Sequence, residues 1–330
     1  SSLSIQSYSS FTSSKCILKL THASIFPVKL NHQHSTIIIQ SRISSNPEID
    51  AELTTSNTPF DLATPMLQHY IQTKQQYPSD YLLLYQVGDF YECYFEDAYE
   101  LSQILDIKLT VKACGQKIRQ KARMAGIPVH TLEEKLKRIV KDNSRCVVIC
   151  NQVGVESSES GSGLLIERAV VRVITPGTKL DDSLLDPRVS SYLASICVEN
   201  EKCAVAYTDV STGEFRVVSI QLSRYQSDEY EVDDLARELI RISPEECLFN
   251  GDDALTKKVI GKLQKFMKED SKRIRFTPRK SDEFEFTNAE NVMQTRFLSE
   301  DLSSLEGLTS VQVCACAVVV GFVSETLEKS

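Results

Sequence analysis

A chain of 330 residues has room for two cores, and 42% apolar against 25% charged side chains is the balance of globular protein; disorder throughout and collagen-like repeats are excluded. The longest apolar run, Val313 to Val323, is eleven residues counting Gly321, about half of what a membrane span needs, so a soluble chain with no membrane partner is expected. The formal net charge of −8 argues against a polycation that coats nucleic acid, but it conceals local asymmetry.

Residues 1–47 hold no Asp or Glu, four basic residues (Lys15, Lys19, Lys29, Arg42) and thirteen Ser, a charge of +4. The remaining 283 residues carry 33 basic and 45 acidic side chains, or −12. An acid-free, Ser-rich, weakly basic leader is the composition of a chloroplast or mitochondrial transit peptide, expected to be disordered; the competing reading is a tail without function. The ten cysteines are about 3% of the chain and include no Cys-x-x-Cys pair. Reduced thiols are therefore expected, and no zinc site. Three of the five His precede residue 35, which leaves little material for a His-based metal or catalytic cluster.

Residues 48–61 read as a linker, with Pro47 and Pro59 nearby. Thr64 followed by Pro65 predicts the start of a helix whose Leu67, Tyr70, Ile71 and Lys74 share a face until Pro78. Tyr81–Val87 has a buried-strand pattern ending at Gly88, Tyr94–Leu105 returns to helical spacing, and residues 107–111 read as a strand. Thr131 and Glu134 have capping-box spacing ahead of a helical face formed by Leu132, Leu136, Ile139 and Val140. Core strands are expected at 146–150 and 169–174, and a new unit after Pro176 and Gly177. There, 192–198, 203–209 and 214–220 predict an antiparallel meander, followed by a helix at 232–242, a strand at 246–249, and helices near 254–267, 288–298 and 310–328. The fold class is α/β (α+β), with a mixed sheet in each of two domains, 62–175 and 185–330.

Residues 80–106 contain seven acids and no Lys or Arg; residues 108–145 contain eleven Lys/Arg and three acids, a local +8. Such a band is the footprint of phosphate-backbone contact. The helix over Glu133, Glu134, Lys137, Arg138 and Lys141 is read as an ordinary solvated face. The stretch 113–124, with Lys117, Arg119, Lys121 and Arg123, is read instead as a basic loop in which Gly115 lets the backbone approach a partner.

Just before this band stands Tyr85-Gln86-Val87-Gly88-Asp89-Phe90-Tyr91-Glu92. If the chain is extended here, Phe90 and Glu92 share one face and Tyr91 takes the other. Most such aromatics are core. An aromatic beside a carboxylate can also wedge between base steps while the carboxylate bonds the edge of the displaced base.

At this point the sequence resembles the N-terminal part of the MutS family of DNA mismatch-recognition proteins. The matching stretches are Thr64-Pro65-Met66, Gly88-Asp89-Phe90-Tyr91-Glu92, Leu105-Asp106-Ile107 with Leu109-Thr110, Met124-Ala125-Gly126-Ile127-Pro128 with His130, Gln152-Val153-Gly154, and Val171-Arg172-Val173-Ile174-Thr175-Pro176-Gly177-Thr178. They stand in the family's order and spacing over roughly residues 62–330. The resemblance implies a mismatch-recognition domain to about residue 175, then a connector domain with a ribonuclease H-like fold, marked by Asp209-Val210-Ser211-Thr212-Gly213-Glu214-Phe215. It places base stacking on Phe90 and base hydrogen bonding on Glu92, within a structural motif that includes Gly88, Asp89, Gly126 and Pro128. By analogy, Lys112, Lys117, Arg119, Lys121, Arg123 and Arg172 would contact the DNA backbone. A carboxyl that meets an acceptor such as purine N7 must be protonated to donate. Gln86-Val87 stands where the family commonly has Arg-Met, Val129 where it has Tyr, and Asn151 where it has Glu.

The family's implied partners are duplex DNA with mismatches, a MutS-type dimer partner and a MutL-like protein. Its ATP and Mg belong to an ATPase region. This chain has no Gly-x-x-x-x-Gly-Lys-Ser/Thr: Gly261-Lys262 has Thr256 at the first glycine position and is followed by Leu263. No cofactor and no catalytic site are expected here, and a fragment of a longer product is expected. Two rivals remain. One is a metal-dependent ribonuclease H-like nuclease using Asp209 with Asp252 or Asp253, for which two-metal chemistry needs converging carboxylates. The other is a protein-binding adaptor.

Overall fold

The computed structural model describes residues 53–115, 118, 121–141, 145–156, 165–179, 184, 190–225, 229–267, 274–296 and 307–327, with the backbone of strands β1 (Tyr8–Ser10) and β2 (Ser13–Lys19). Contacts divide the chain into two compact units, Pro27–Ile139 with Val147–Val171, and Arg172–Ser330 with Ser1–Phe26 and Val140–Cys146.

The first unit is built on a six-stranded sheet of β3 (Tyr81–Val87), β4 (Phe90–Tyr94), β5 (Thr110–Ala113), β6 (Lys121–Pro128), β7 (Cys146–Glu156) and β8 (Leu165–Ile174), in the order β5-β6-β4-β3-β7-β8. Helix α1 (Pro65–Lys74) begins as its sequence predicts: the Thr64 hydroxyl accepts from Leu67 N at 3.4 Å, Pro65 occupies the first turn, and Leu67, Tyr70 and Ile71 are buried. Helix α2 (Phe95–Leu105) follows β4 without a loop. Phe95, at φ 56°, makes the turn, a left-handed conformation that a bulky side chain adopts only when its surroundings hold it. Those surroundings are aromatic, for Tyr70 packs edge-on against Tyr85 and Tyr94, with centroids 5.5 and 4.9 Å away.

A buried ion pair ties α1, β3 and α2 together. Lys74 Nζ lies 2.7 Å from Asp97 Oδ1 and also donates to the carbonyls of Ser79 and Tyr81. Asp97 Oδ2 accepts from Leu83 N at 2.9 Å and from the Tyr70 hydroxyl. Burial pushes the Asp97 carboxyl above its ordinary value even though the Lys74 charge pulls it down.

Four expectations change. The strand read at 107–111 lies at Thr110–Ala113, and Lys121–Met124, read as loop, belongs to β6. The buried residues there, Ala122, Ala125 and Ile127, do not keep a strict period of two, and charged Lys121 and Arg123 flank the first of them, so the strand pattern is faint in sequence. Gly115 does not free the backbone for an external partner. A Cβ there would collide with the Leu62 carbonyl oxygen, while the Cys114 carbonyl accepts from Thr64 N at 2.7 Å. The Thr131 hydroxyl donates to the Pro128 carbonyl at 2.8 Å, and helix α3 (Leu132–Ile139) begins after a 3-10 turn over Val129–Thr131.

The second unit contains β9 (Tyr192–Glu199), β10 (Lys202–Asp209) and β11 (Glu214–Gln221) as the predicted meander, a small pair of β12 (Arg224–Tyr225) with β13 (Glu229–Tyr230), then α4 (Asp233–Ile242), β14 (Glu246–Asn250), α5 (Ala254–Phe266), β15 (Arg275–Arg279), α6 (Phe286–Arg296) and α7 (Ser310–Leu327). Its sheet runs β1-β2-β11-β10-β9-β14-β15, with β14 parallel to both β9 and β15. Strand β15 was not legible in sequence, because Arg275, Pro278 and Arg279 mask it; a sheet edge tolerates proline. Strands β1 and β2 pair along the other edge, so the expectation of disorder through residues 1–47 does not hold for those two segments.

Period-two alternation sorts the meander into two cores. Leu193, Ala204, Ala206, Phe215 and Val217 face α6 and α7; Ala194, Ile196, Val205, Tyr207 and Val218 face α4 and α5. Helix α7 is long and apolar enough to cross a membrane by length and composition, beyond what the eleven-residue run suggested. It is apolar all round because it is buried against the sheet and α6, and Ser195 Oγ donates to its Ala315 carbonyl at 2.6 Å.

Candidate nucleic-acid interface

The β3–β4 hairpin presents the sequence-predicted pair. Val87 pairs with Phe90 across Gly88-Asp89, and Gly88 has φ +59°, the positive value that the first central residue of a type II′ turn needs. Val129 N donates to the Asp89 carbonyl at 2.9 Å, which ties the turn to the end of β6. Pro128 flanks Phe90 on its other side. Phe90 is 48% exposed, an unusual state for a phenylalanine in a central strand, whereas Tyr91 and Cys93 are buried. The Tyr91 hydroxyl donates to Asn151 Oδ1 at 2.8 Å, so Phe90 and Glu92 share the face opposite Tyr91 as expected.

Glu92 is held by two side chains. Its Oε2 receives Lys112 Nζ at 2.6 Å and the Tyr94 hydroxyl, and Lys112 also donates to the Tyr94 oxygen at 2.9 Å while its ammonium lies 5.4 Å from the Tyr94 ring centroid. Gly126 faces Glu92 across the ladder. Tyr94 is fully buried; burial first, then the bond to Glu92, pushes its hydroxyl above the usual phenol range and keeps it a donor. Lys112, expected among the phosphate ligands, is thus the partner of Glu92.

The other basic candidates are dispersed. Lys121 is exposed on β6, and Arg123 lies over the Tyr99 ring, 5.3 Å from its centroid. Arg172 is half-buried on β8, an edge strand of the hairpin's sheet, at the point where the division between the two units falls. Lys117 and Arg119 lie outside the described residues.

Sequence reasoning missed Arg168. Its Nε donates to the Gln86 carbonyl at 2.9 Å, and its guanidinium sits 5.1 Å from the Tyr85 ring centroid. Gln86 in turn accepts from Gln152 N at 2.9 Å and donates to the Gly88 carbonyl. Two of the departures from the family pattern, Gln86 and Asn151, therefore brace the hairpin. Tyr94 was within reach of sequence, two residues from Glu92 on the same strand face. Lys112 and Arg168 carried no local signal, because they meet the hairpin only through the sheet.

The nuclease rival is not assembled. Asp209 is buried and its Oδ1 accepts from Ser211 N and Oγ at 3.0 and 2.6 Å, a side-chain turn. Asp252 accepts from Ser281 N. Asp253 caps α5, taking Thr256 N and Oγ1 both at 2.7 Å; these bonds hold its carboxyl below the ordinary value against the opposing effect of burial. Among the described residues no three His, Cys, Asp or Glu converge in a way that could hold a metal ion.

Residues 64–183 match the family model of MutS domain I, and residues 191–330 that of MutS domain II. The chain is 32% identical over 267 residues to the DNA mismatch repair protein MutS of Wolbachia pipientis, covering 80% of this chain and 29% of that protein. It is 39% identical over 186 residues to MutS of Microcystis aeruginosa, with 56% and 20% covered, and 34% identical over 269 residues to MutS of Ehrlichia ruminantium, with 81% and 30% covered. The chain thus spans less than a third of the length of these relatives. Two consecutive domain matches, and a hairpin that displays the motif residues which prompted the resemblance, show that this chain belongs to the MutS family.

Proposed function

We propose that this chain recognises mispaired or looped-out bases in duplex DNA, with Phe90 as the wedge and Glu92 as the polar contact to the displaced base. The observation that carries this reading is the half-exposed Phe90 on a braced hairpin, on the same strand face as a carboxylate. A mispair is easier to unstack and kink than a paired step, so an aromatic wedge meets least resistance where pairing is already poor. Stacking of a base on an aromatic ring is worth about 1–3 kcal/mol, a preference of about fivefold to a hundredfold or more. Lys121 and Arg123 supply sequence-independent phosphate contact.

Fluorescence anisotropy of the 330-residue chain on G·T, looped-out thymine and matched duplexes tests this. Tighter binding to the first two is expected, with Phe90→Ala abolishing the preference and leaving the salt dependence in place. Equal affinity of the wild-type chain for all three overturns it.

On the same reading the chain works beside a second MutS-type subunit and a MutL-like protein, and ATP with its magnesium is handled outside these two domains. The Ser-rich leader directs import into a chloroplast or mitochondrion; a fluorescent protein carrying residues 1–47 is expected in one of those organelles, and cytosolic fluorescence counts against it.

A further inference from the structure

Nine of the ten cysteines lie among the described residues, all free and buried, and seven of them are at most 2% exposed. Cys197 on β9 and Cys314 on α7 are the two that keep more, 7% and 5%. Both belong to one core cluster. Two bonds between β9 and α7 bracket them: Ser195 Oγ donates to the Ala315 carbonyl at 2.6 Å, and Ser310 Oγ donates to Glu199 Oε2 at 3.4 Å. Ser195, Cys197 and Glu199 alternate onto one strand face, so Cys197 stands between these anchors, against the first turns of α7. A side chain as short as serine reaches a helix carbonyl only where helix and strand lie close, which a disulfide between them also requires.

The two thiols are hydrogen-bonded to each other. Cys197 is the donor: that bond first, then burial, pushes its thiol well up. The same bond holds the Cys314 thiol below its ordinary value, against the opposing effects of burial and the Glu199 charge. Burial drives Cys93, Cys203 and Cys247 the other way.

We infer that Cys197 and Cys314 form a peroxide-reactive dithiol, a modification site of the second unit that closes to a disulfide and staples α7 to β9. The Cys314 thiolate attacks the O–O bond of hydrogen peroxide; a sulfenic acid forms, and the hydroxide released takes up the proton that the thiol gave up, leaving as water. The Cys197 sulfur then attacks the sulfenic sulfur, the S–S bond forms, and the second hydroxide leaves with the Cys197 proton as water. Two thiols lose two electrons, and one hydrogen peroxide is reduced to two waters. The loop closed by this bond holds every element from β10 to α6, so the bridge constrains most of the unit when it unfolds.

Titrating the full 330-residue chain with hydrogen peroxide, then mapping its peptides without reductant by mass spectrometry, tests this. A Cys197–Cys314 cross-link is expected at a lower dose than any oxidation of Cys93, Cys203 or Cys247. The Tm of the cross-linked chain is expected to rise by about 5 °C or more and to return on treatment with dithiothreitol. In Cys197→Ser the Cys314 sulfenic acid has lost its resolving thiol and is expected to accumulate and be trapped by dimedone. In Cys314→Ser, Cys197 is expected to stay reduced at the same dose. Oxidation of Cys314 in the wild type without a cross-link, or earlier disulfides between other cysteines, overturns the dithiol. Dimedone labelling of Cys197 in Cys314→Ser overturns the choice of Cys314 as nucleophile, and an unchanged Tm after cross-linking overturns the staple.

Discussion

Gly126 stands directly across the β4–β6 ladder from Glu92, and a Cβ built on it lies 3.1 Å from the Tyr91 carbonyl oxygen and 3.5 Å from Glu92 Cγ. The glycine therefore leaves the space in which the Glu92 side chain lies down toward Lys112 and Tyr94. Gly126→Ala asks its neighbours to yield only a few tenths of an ångström and is expected to weaken mismatch preference slightly. Gly126→Val puts branched atoms against the carboxylate stem, at an overpacking cost of about 1–3 kcal/mol. Its preference for looped-out thymine over matched duplex, read by anisotropy, is expected to collapse.

The Lys74–Asp97 pair predicts an asymmetric double-mutant cycle. Asp97→Asn leaves a buried ammonium without a counter-charge and is expected to cost about 3–5 kcal/mol of stability. Adding Lys74→Met removes that charge, while the amide oxygen introduced by Asp97→Asn can still accept from Leu83 N, so the double variant recovers most of the loss. Urea unfolding of the four proteins measures it; equal losses in single and double variants would contradict the pairing. Because burial raises the Asp97 carboxyl above its ordinary value, the folded unit holds this proton more tightly than the unfolded chain does. Its contribution to stability is therefore fully present in acid and is lost as pH rises through the folded value.

Cys150, on β7 beside the hairpin in the sheet, gives a pH prediction in the alkaline range. Burial pushes its thiol up to about 11, against a weaker downward pull from Arg168. The folded chain holds the proton that the unfolded chain releases from about pH 9 upward, so stability falls as pH climbs from about 9 through 11. Cys150→Ala is expected to flatten that part of the profile. Alkylation by iodoacetamide at about pH 8, below the ordinary thiol value, followed by mass spectrometry, should leave Cys150 unmodified in the native chain and modify it in urea.

Gly115 supplies a structural control. Gly115→Ala drives a methyl into the Leu62 carbonyl and is expected to destabilise the first unit by about 1–3 kcal/mol. Its preference for looped-out over matched DNA, measured below the unfolding transition, is expected to stay unchanged; a selective loss of preference would return Gly115 to the interface.

Much of this protein is determined along the chain. The Thr64-Pro65 start of α1, the meander at β9–β11, the Gly88 turn and the shared face of Phe90 and Glu92 all follow from local rules: a hydroxyl at an N-cap, a period of two, a glycine where φ must be positive. Each depends on residues within a few positions of one another, so a sequence carries them without folding. The basic band was legible only as a sum of charge. Tertiary structure distributed it, giving Lys112 to Glu92 and Arg123 to the Tyr99 ring, and it gave Gly115 an internal task. It also paired Lys74 with Asp97 and laid Arg168 over Tyr85, across separations of 23 and 83 positions in the chain. An ion pair or a stacked guanidinium has no sequence period; its partners are chosen by sheet order and helix packing, which bring distant residues within bonding distance. The sequence thus determined which side chains the hairpin displays, and only the folded sheet decided which partners hold the Glu92 carboxylate.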